Sequence, residues 1–199
     1  MALADVRRDR VWTYADLKEL PDDGRRWEIV EGALVEMTGP TTLHGRVVVN
    51  LARLLLPIMD ALGAEFFVAP QDVLLPDGSV VEPDLLAILP DGLAWPSLRG
   101  IEGPPDLVVE VVSPSSRQHF TVTKRALYGR TGVREYWLVD PEARSVDVLV
   151  RQQAGLRLHR HHAGATDFVS PLLGGAAFPI AALFRGFERT RANPTDEER

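Results

Sequence analysis

Residues 105–113 read PDLVVEVVS. The run is short, continuous and β-branched, and Pro114 ends it, which predicts a strand buried on both faces. Side chains alternate along a strand, so Val108, Glu110 and Val112 share one face and Leu107, Val109 and Val111 the other. Glu110 is therefore a carboxylate set into an apolar layer. Such a group must be desolvated, paired or bound to a cation.

Downstream, the pattern predicts a helix over Thr121 to Tyr128 that ends near Gly129 or Gly132. VREYWLVD, residues 133–140, predicts a second buried strand, closed by Pro141. Strand, helix and strand in this order suit a β-α-β crossover. RSVDVLVR (144–151) and GLRLHRHH (155–162) predict an antiparallel pair, and AALFRGFER (181–189) a short helix.

Upstream, Thr13 and Asp16 have the spacing of a capping box before a short helix that Pro21 stops. RRWEIVEGALVEM, residues 25–37, predicts a hairpin turning at Glu31 and Gly32. From Thr42 to Leu62 the positions Val47, Leu51, Leu54, Leu55, Ile58 and Met59 form a helical stripe, which Pro57 is expected to kink or end. EFFVAPQDVLLP (65–76) and VVEPDLLAILP (80–90) predict two strands joined by the turn PDGS, and 92–105 a Gly- and Pro-rich loop. The class is α/β: a mixed sheet flanked by helices. We expect one domain over 1–190 and a polar tail over 191–199.

With 199 residues, 45 % hydrophobic and 25 % charged, the chain has an ordinary globular composition. Cys is absent, which excludes disulfides, thiolate metal sites and a cysteine nucleophile. No apolar run has transmembrane length and the N-terminus has no signal-peptide pattern, so a cytoplasmic protein without membrane contact is expected. The formal charge is -6, which opposes a whole-surface nucleic-acid binder and requires any such binder to segregate its arginines. Arg25, Arg26, Arg46, Arg53, Arg117 and Arg125 are the candidates for one basic rim, with ordinary solvated surface the alternative. No glycine-rich phosphate loop is present. In the run from His159 to His162, no cysteine or carboxylate completes a zinc spacing.

Asp84 follows Glu82 and Pro83 at the start of DLLAIL. On a strand next to that of Glu110, it could share one hard cation, Mg²⁺ or Mn²⁺, with Glu110. A structural ion network and a turn cap are the alternatives. Lys124 is one of only two lysines, the other being Lys18. From the helix after the Glu110 strand, it could orient an attacking water or stabilise a phosphoryl oxygen. Tyr128, four residues on, shares its helical face.

The ordered set DDGRRWEIVEGALVEM, LHGRVVVNLARLL, VVEPDLLAIL, IEGPPDLVVEVVSPSS, the Lys124 helix and GVREYWLVDPEARSVDVL resembles the Uma2 family. That family is related to the PD-(D/E)XK nuclease superfamily. The resemblance spans about residues 13 to 185 and implies a restriction-endonuclease-like core. It matches Asp84 to the PD aspartate and Glu110 to the (D/E)XK acid. Val112 stands where the motif lysine would be, and the lysine has moved to the helix as Lys124. It also implies Glu28 as an early glutamate completing the metal set, His44 at the start of the long helix, and Gln71, Tyr128 and Arg46 as possible support.

The implied activity is Mg²⁺- or Mn²⁺-dependent hydrolysis of DNA by a homodimer. The alternatives are an inactive scaffold that binds protein or nucleic acid, and a hydrolase of another phosphorylated substrate. One departure stands out: family members commonly carry aspartate four residues before the helix lysine, and here Phe120 occupies that position, leaving Thr121 or Thr123 to cap the helix. The apolar set Leu172, Leu173, Phe178, Ile180, Leu183, Phe184 and Phe187 is read as core or as a subunit contact.

Overall fold

A computed structural model describes residues 6–112, 118–153 and 155–189. The expected tail and Arg117 lie outside the described residues. The core is a six-stranded mixed sheet centred on Leu107–Val111. This strand runs parallel to Glu135–Asp140 and antiparallel to Leu85–Ile88. The helical connection between the parallel pair makes the expected crossover. Glu65–Val68 forms one edge, and the antiparallel pair Ser145–Gln152 and Gly155–Ala163 extends the other.

The alternation read from PDLVVEVVS separates two apolar layers. Leu107, Val109 and Val111 pack with Val47, Leu51, Leu55 and Met59 of helix α2, Thr42–Leu62, which follows the short helix α1, Tyr14–Lys18. Val108 and Val112 pack on the opposite side with Phe120, Leu127 and Tyr128. Burying each such Val or Leu stabilises the fold by roughly 1.5–3 kcal/mol, so the doubly covered strand anchors the sheet.

A second, seven-stranded sheet of short strands contains the hairpin Arg26–Val30 and Ala33–Met37. Its turn has the predicted residues, with Glu31 at φ 53 and Gly32 at φ 74, as a two-residue primed turn requires. The stretches 65–76 and 80–90 do not form one simple strand pair. Each is interrupted at a proline, Pro70 or Pro83, and passes from one sheet to the other. Glu65–Val68 and Leu85–Ile88 pair in the large sheet, whereas Val73–Leu74 and Val80–Val81 pair in the small one. A proline cannot donate to the ladder, so each strand ends there.

Helix α2 continues through Pro57 to Leu62, so Pro57 does not end it. Pro57 is exposed, so the carbonyl it leaves without a donor faces water. The apolar C-terminal residues belong to the protein's own core. Phe168 and Phe178 stack on each other and meet Trp137 edge to face, and Ile180, Leu183 and Phe184 close the same layer. Core packing thereby accounts for most of this set, with Leu172 and Phe187 only partly buried. His161 pairs with Asp147 at 2.5 Å, and His162 is buried beside Phe168. Among the described residues, no helix is long and apolar enough to cross a membrane.

Candidate active site

The seam between the two sheets gathers charged side chains in the core. Asp84 immediately precedes Leu85, which pairs with Val109, so Asp84 and Glu110 sit at adjoining positions of neighbouring strands. Glu28 comes from the small-sheet hairpin, and the Glu82 backbone N–H donates to its Oε1 at 2.7 Å. That bond ties the hairpin to the chain just before Asp84.

Lys124 enters from the opposite side. It ends a π-helical turn, His119–Lys124, that leads into helix α3, Arg125–Thr131. Sequence spacing predicts a plain α-helix from Thr121, whereas the structure starts two residues earlier, at His119, and winds it more widely. Thr121 and Thr123 lie inside the turn rather than capping it. The Lys124 Nζ donates to Glu28 Oε1 and Glu110 Oε1, each at 2.7 Å, with no solvent exposure. Tyr128 OH donates to the same Glu110 oxygen at 2.9 Å.

Asp84 has its own supports. The Val111 N–H donates to Asp84 Oδ2 at 2.7 Å, and His44 Nε2 lies 3.0 Å from Oδ1. Thr41 caps α2 by accepting from the His44 N–H, which sets His44 in the first turn facing Asp84.

The electrostatics follow from burial and from one cation shared between two carboxylates. Burial pushes Glu28 up, but Lys124, His119 and the Glu82 N–H outweigh it and hold Glu28 down at about 2. Burial also raises Glu110; Lys124 opposes it, and the nearby Asp84 and Glu28 charges reinforce it, leaving Glu110 at about 8. Burial disfavours the Lys124 ammonium, yet Glu110 and Glu28 lift its pKa above the ordinary lysine value. Burial, then Glu110, raises the Tyr128 phenol well above its usual range, so it remains a donor.

The structure thus brings together Glu28, Asp84, Glu110, Lys124, His44 and Tyr128. It does not bring in Arg46, which instead donates to the Gly186 carbonyl. Gln71 is half-buried between the two sheets, and among the described residues no hydrogen bond joins it to the cluster. The expected single basic rim is dispersed as well: Arg25 pairs with Asp23, Arg26 with Glu82, and Arg125 bonds the Leu156 carbonyl.

One neighbour of the cluster escaped the sequence reading. His119 is buried, with Nε2 3.7 Å from Glu28 Oε2, and among the described residues neither atom has a hydrogen-bond partner. An α-helix would place it about 140° round the axis from Lys124, and only the wider π-turn brings the two together. Phe120 is also buried, its ring centroid 5.0 Å from the Lys124 ammonium, where it faces the cation. Among the described residues, no three His, Cys, Asp or Glu side chains converge as a set that could hold a metal ion. The expected triad of Asp84, Glu110 and Glu28 around one ion is therefore not assembled, and the lysine sits between its two glutamates.

A family model named Uma2, described as "Putative restriction endonuclease", matches residues 14–181. A crystal structure from Anabaena variabilis ATCC 29413, described as "a putative nuclease belonging to DUF820", superposes with a TM-score of 0.68 at 19% identity. The match covers 87% of this chain and 97% of that one, and at this identity it speaks for the fold. Comparison with curated proteins gives no match.

Proposed function

Because the chain belongs to the Uma2 family, and so has a PD-(D/E)XK-like nuclease fold, we propose that the buried carboxylate–lysine cluster hydrolyses DNA phosphodiester bonds with Mg²⁺ or Mn²⁺. The observation that carries this reading is Lys124, fully buried and 2.7 Å from both Glu28 and Glu110. A structural role for the lysine needs one carboxylate. Here a second is bound to it and a third, Asp84, stands beside them. Gathering like charges in a core costs stability, and active sites are where such costs are commonly found.

The donor chemistry fits the ion. Asp84 and Glu110 are hard oxygen donors, and Mg²⁺ commonly binds through one or two carboxylates and keeps several waters. Asp84 and Glu110 would hold it, while Glu28, with Oε1 engaged by Lys124 and the Glu82 N–H, serves to hold the lysine. When bound, the ion supplies a water of lowered pKa and positive charge at the scissile phosphate. Lys124 Nζ donates to the attacking water or a phosphoryl oxygen, exchanging one carboxylate for it. Tyr128 steadies Glu110, and His44 with the Val111 N–H steadies Asp84. A homodimer rests on family resemblance alone.

The inactive-scaffold reading has one observation in its favour. Phe120 covers the lysine with an aromatic ring where the family commonly has aspartate. Single-turnover cleavage of plasmid and oligonucleotide DNA with Mg²⁺ and Mn²⁺ tests both readings. Lys124→Ala is expected to lower cleavage roughly 10²-fold or more, and Lys124→Arg to recover little, since Arg keeps its proton and differs in shape. Equal cleavage by all three proteins removes Lys124 from the mechanism. No cleavage by the wild type, with no binding of Mn²⁺, favours the scaffold.

A further inference from the structure

A cavity of about 800 Å³ lies on the outer side of the Lys124 helix, against the strand Gly155–Ala163. Arg125, Arg130, Arg151 and Arg157 line it, and among the described residues no Asp or Glu does. This is notable in a protein whose formal charge is -6. A concave surface of one sign focuses the field and draws in ions of the opposite sign.

The four guanidiniums are not equivalent. Arg125 is pinned, its Nε and Nη2 donating to the Leu156 carbonyl at 3.2 and 3.1 Å, which fixes its direction without neutralising its charge. Arg130 is partly compensated from outside the cavity by Glu31 at 2.7 Å and Asp77 at 2.8 Å. Arg151 and Arg157 are exposed, and among the described residues neither pairs with an acid. The floor is close-packed: a Cβ at Gly129 would lie 2.8 Å from the Leu156 nitrogen, so helix and strand meet backbone to backbone.

We propose that this cavity is a phosphate-binding site, separate from the buried cluster, for phosphate groups carried on a nucleic-acid strand or on a free oligophosphate. Guanidinium forks match phosphate oxygens two at a time, which favours this anion over a carboxylate or halide. The volume falls within the range of small-molecule sites, roughly 300–1,000 Å³, and admits more than one phosphate. Exposed Val122, with Ala126, leaves an apolar wall beside the arginines for the attached nucleoside. The inference goes beyond the proposed cleavage and does not need it.

The test is binding in EDTA, where metal-dependent cleavage cannot occur. A fluorescein-labelled single strand of about 20 nucleotides is titrated by anisotropy at low and moderate salt, and pyrophosphate by calorimetry. Arg151→Gln with Arg157→Gln is compared with Arg8→Gln with Arg160→Gln, exposed arginines outside the cavity whose replacement removes the same charge. The cavity pair is expected to weaken binding by about 10-fold or more and to lower the salt slope by about 0.7 per lost phosphate contact. The control pair should change little.

Pyrophosphate bound by the wild type and lost in the cavity variant shows that a free oligophosphate suffices. A strand bound without pyrophosphate binding shows that spaced phosphates are required. Either result upholds the site. Equal weakening by the two pairs overturns the proposal, as does a folded wild type that binds neither probe at low salt. A nuclease that cuts DNA while its cavity variant binds normally would leave the cleavage reading intact and end this one.

Discussion

At Lys124, two carboxylates stand at the same distance, 2.7 Å, yet they titrate in opposite directions, Glu28 to about 2 and Glu110 to about 8. One cation is shared, so the acids behave as a coupled set, and the one beside Asp84 keeps its proton longer. The sign for stability follows. Between the ordinary value of 4.5 and about 8, native Glu110 retains a proton that the unfolded chain has lost. Its contribution is complete at lower pH and declines as pH rises through that window. Glu110→Gln keeps an oxygen for Lys124 and Tyr128 but cannot ionise. Its melting temperature should gain on that of the wild type as pH rises from about 5 to about 8; parallel curves would refute the raised Glu110. Lys124→Met instead leaves carboxylates buried without their cation. It should destabilise the fold by about 3–5 kcal/mol, read from thermal melts, and combining it with Glu110→Gln should return part of that loss. A Lys124→Met protein as stable as the wild type would show that the ion pairs are not closed in solution.

The element carrying this lysine was only half readable from the sequence. Its position after the Glu110 strand followed from the order of apolar runs, but its π-turn did not, because α-helical periodicity places His119 off the Lys124 face. The primed turn at Glu31 and Gly32, the Thr13 capping box and the α2 stripe were all readable because their signals are local. The sheet changes at Pro70 and Pro83 were not, since proline marks where a strand stops without saying which partner the next one takes. Glu28 and His44 entered only through family resemblance: neither lies near Glu110 in sequence, and the contacts that join them are tertiary. Deleting exposed Val122 tests the π-turn. The chain would then swing His119 and Phe120 by about 100° relative to Lys124. The variant should remain folded by circular dichroism but melt lower, while an unchanged melting temperature would argue that the extra residue has no role in packing the site. Pro57→Ala probes α2 in the opposite sense. With its flank solvated and the helix already continuous, it should stabilise by up to about 3 kcal/mol, and a loss of stability would mean that Pro57 packs usefully where it stands.

On the scale of the molecule, Lys124 ties Glu28 of the small-sheet hairpin to Glu110 of the large sheet's central strand, so the cluster bridges the two sheets. The acidic net charge and the buried acids point the same way: without a cation, Asp84 and Glu110 repel across adjoining strands, as the Asp84 contribution to the raised Glu110 records. A divalent ion that binds this native arrangement, and not the unfolded chain, must stabilise the whole fold by mass action, by about 2.7 kcal/mol at a hundred times its dissociation constant. Melting the wild type in millimolar Mn²⁺ or Mg²⁺ against EDTA should therefore show a higher midpoint with metal, and for a chain of this size each kcal/mol is worth about 2–4 °C. Asp84→Asn should abolish the gain, because it removes a ligand charge while keeping the shape that His44 and the Val111 N–H hold. Lys124→Ala should retain or enlarge the gain, because the ammonium between Glu28 and Glu110 competes with the ion for Glu110. Retention in Lys124→Ala with loss in Asp84→Asn would separate holding the ion from orienting the water. A midpoint indifferent to Mn²⁺ in both the wild type and Lys124→Ala would mean that the lysine is the only cation this cluster takes, and would leave the fold as a nuclease scaffold without its metal.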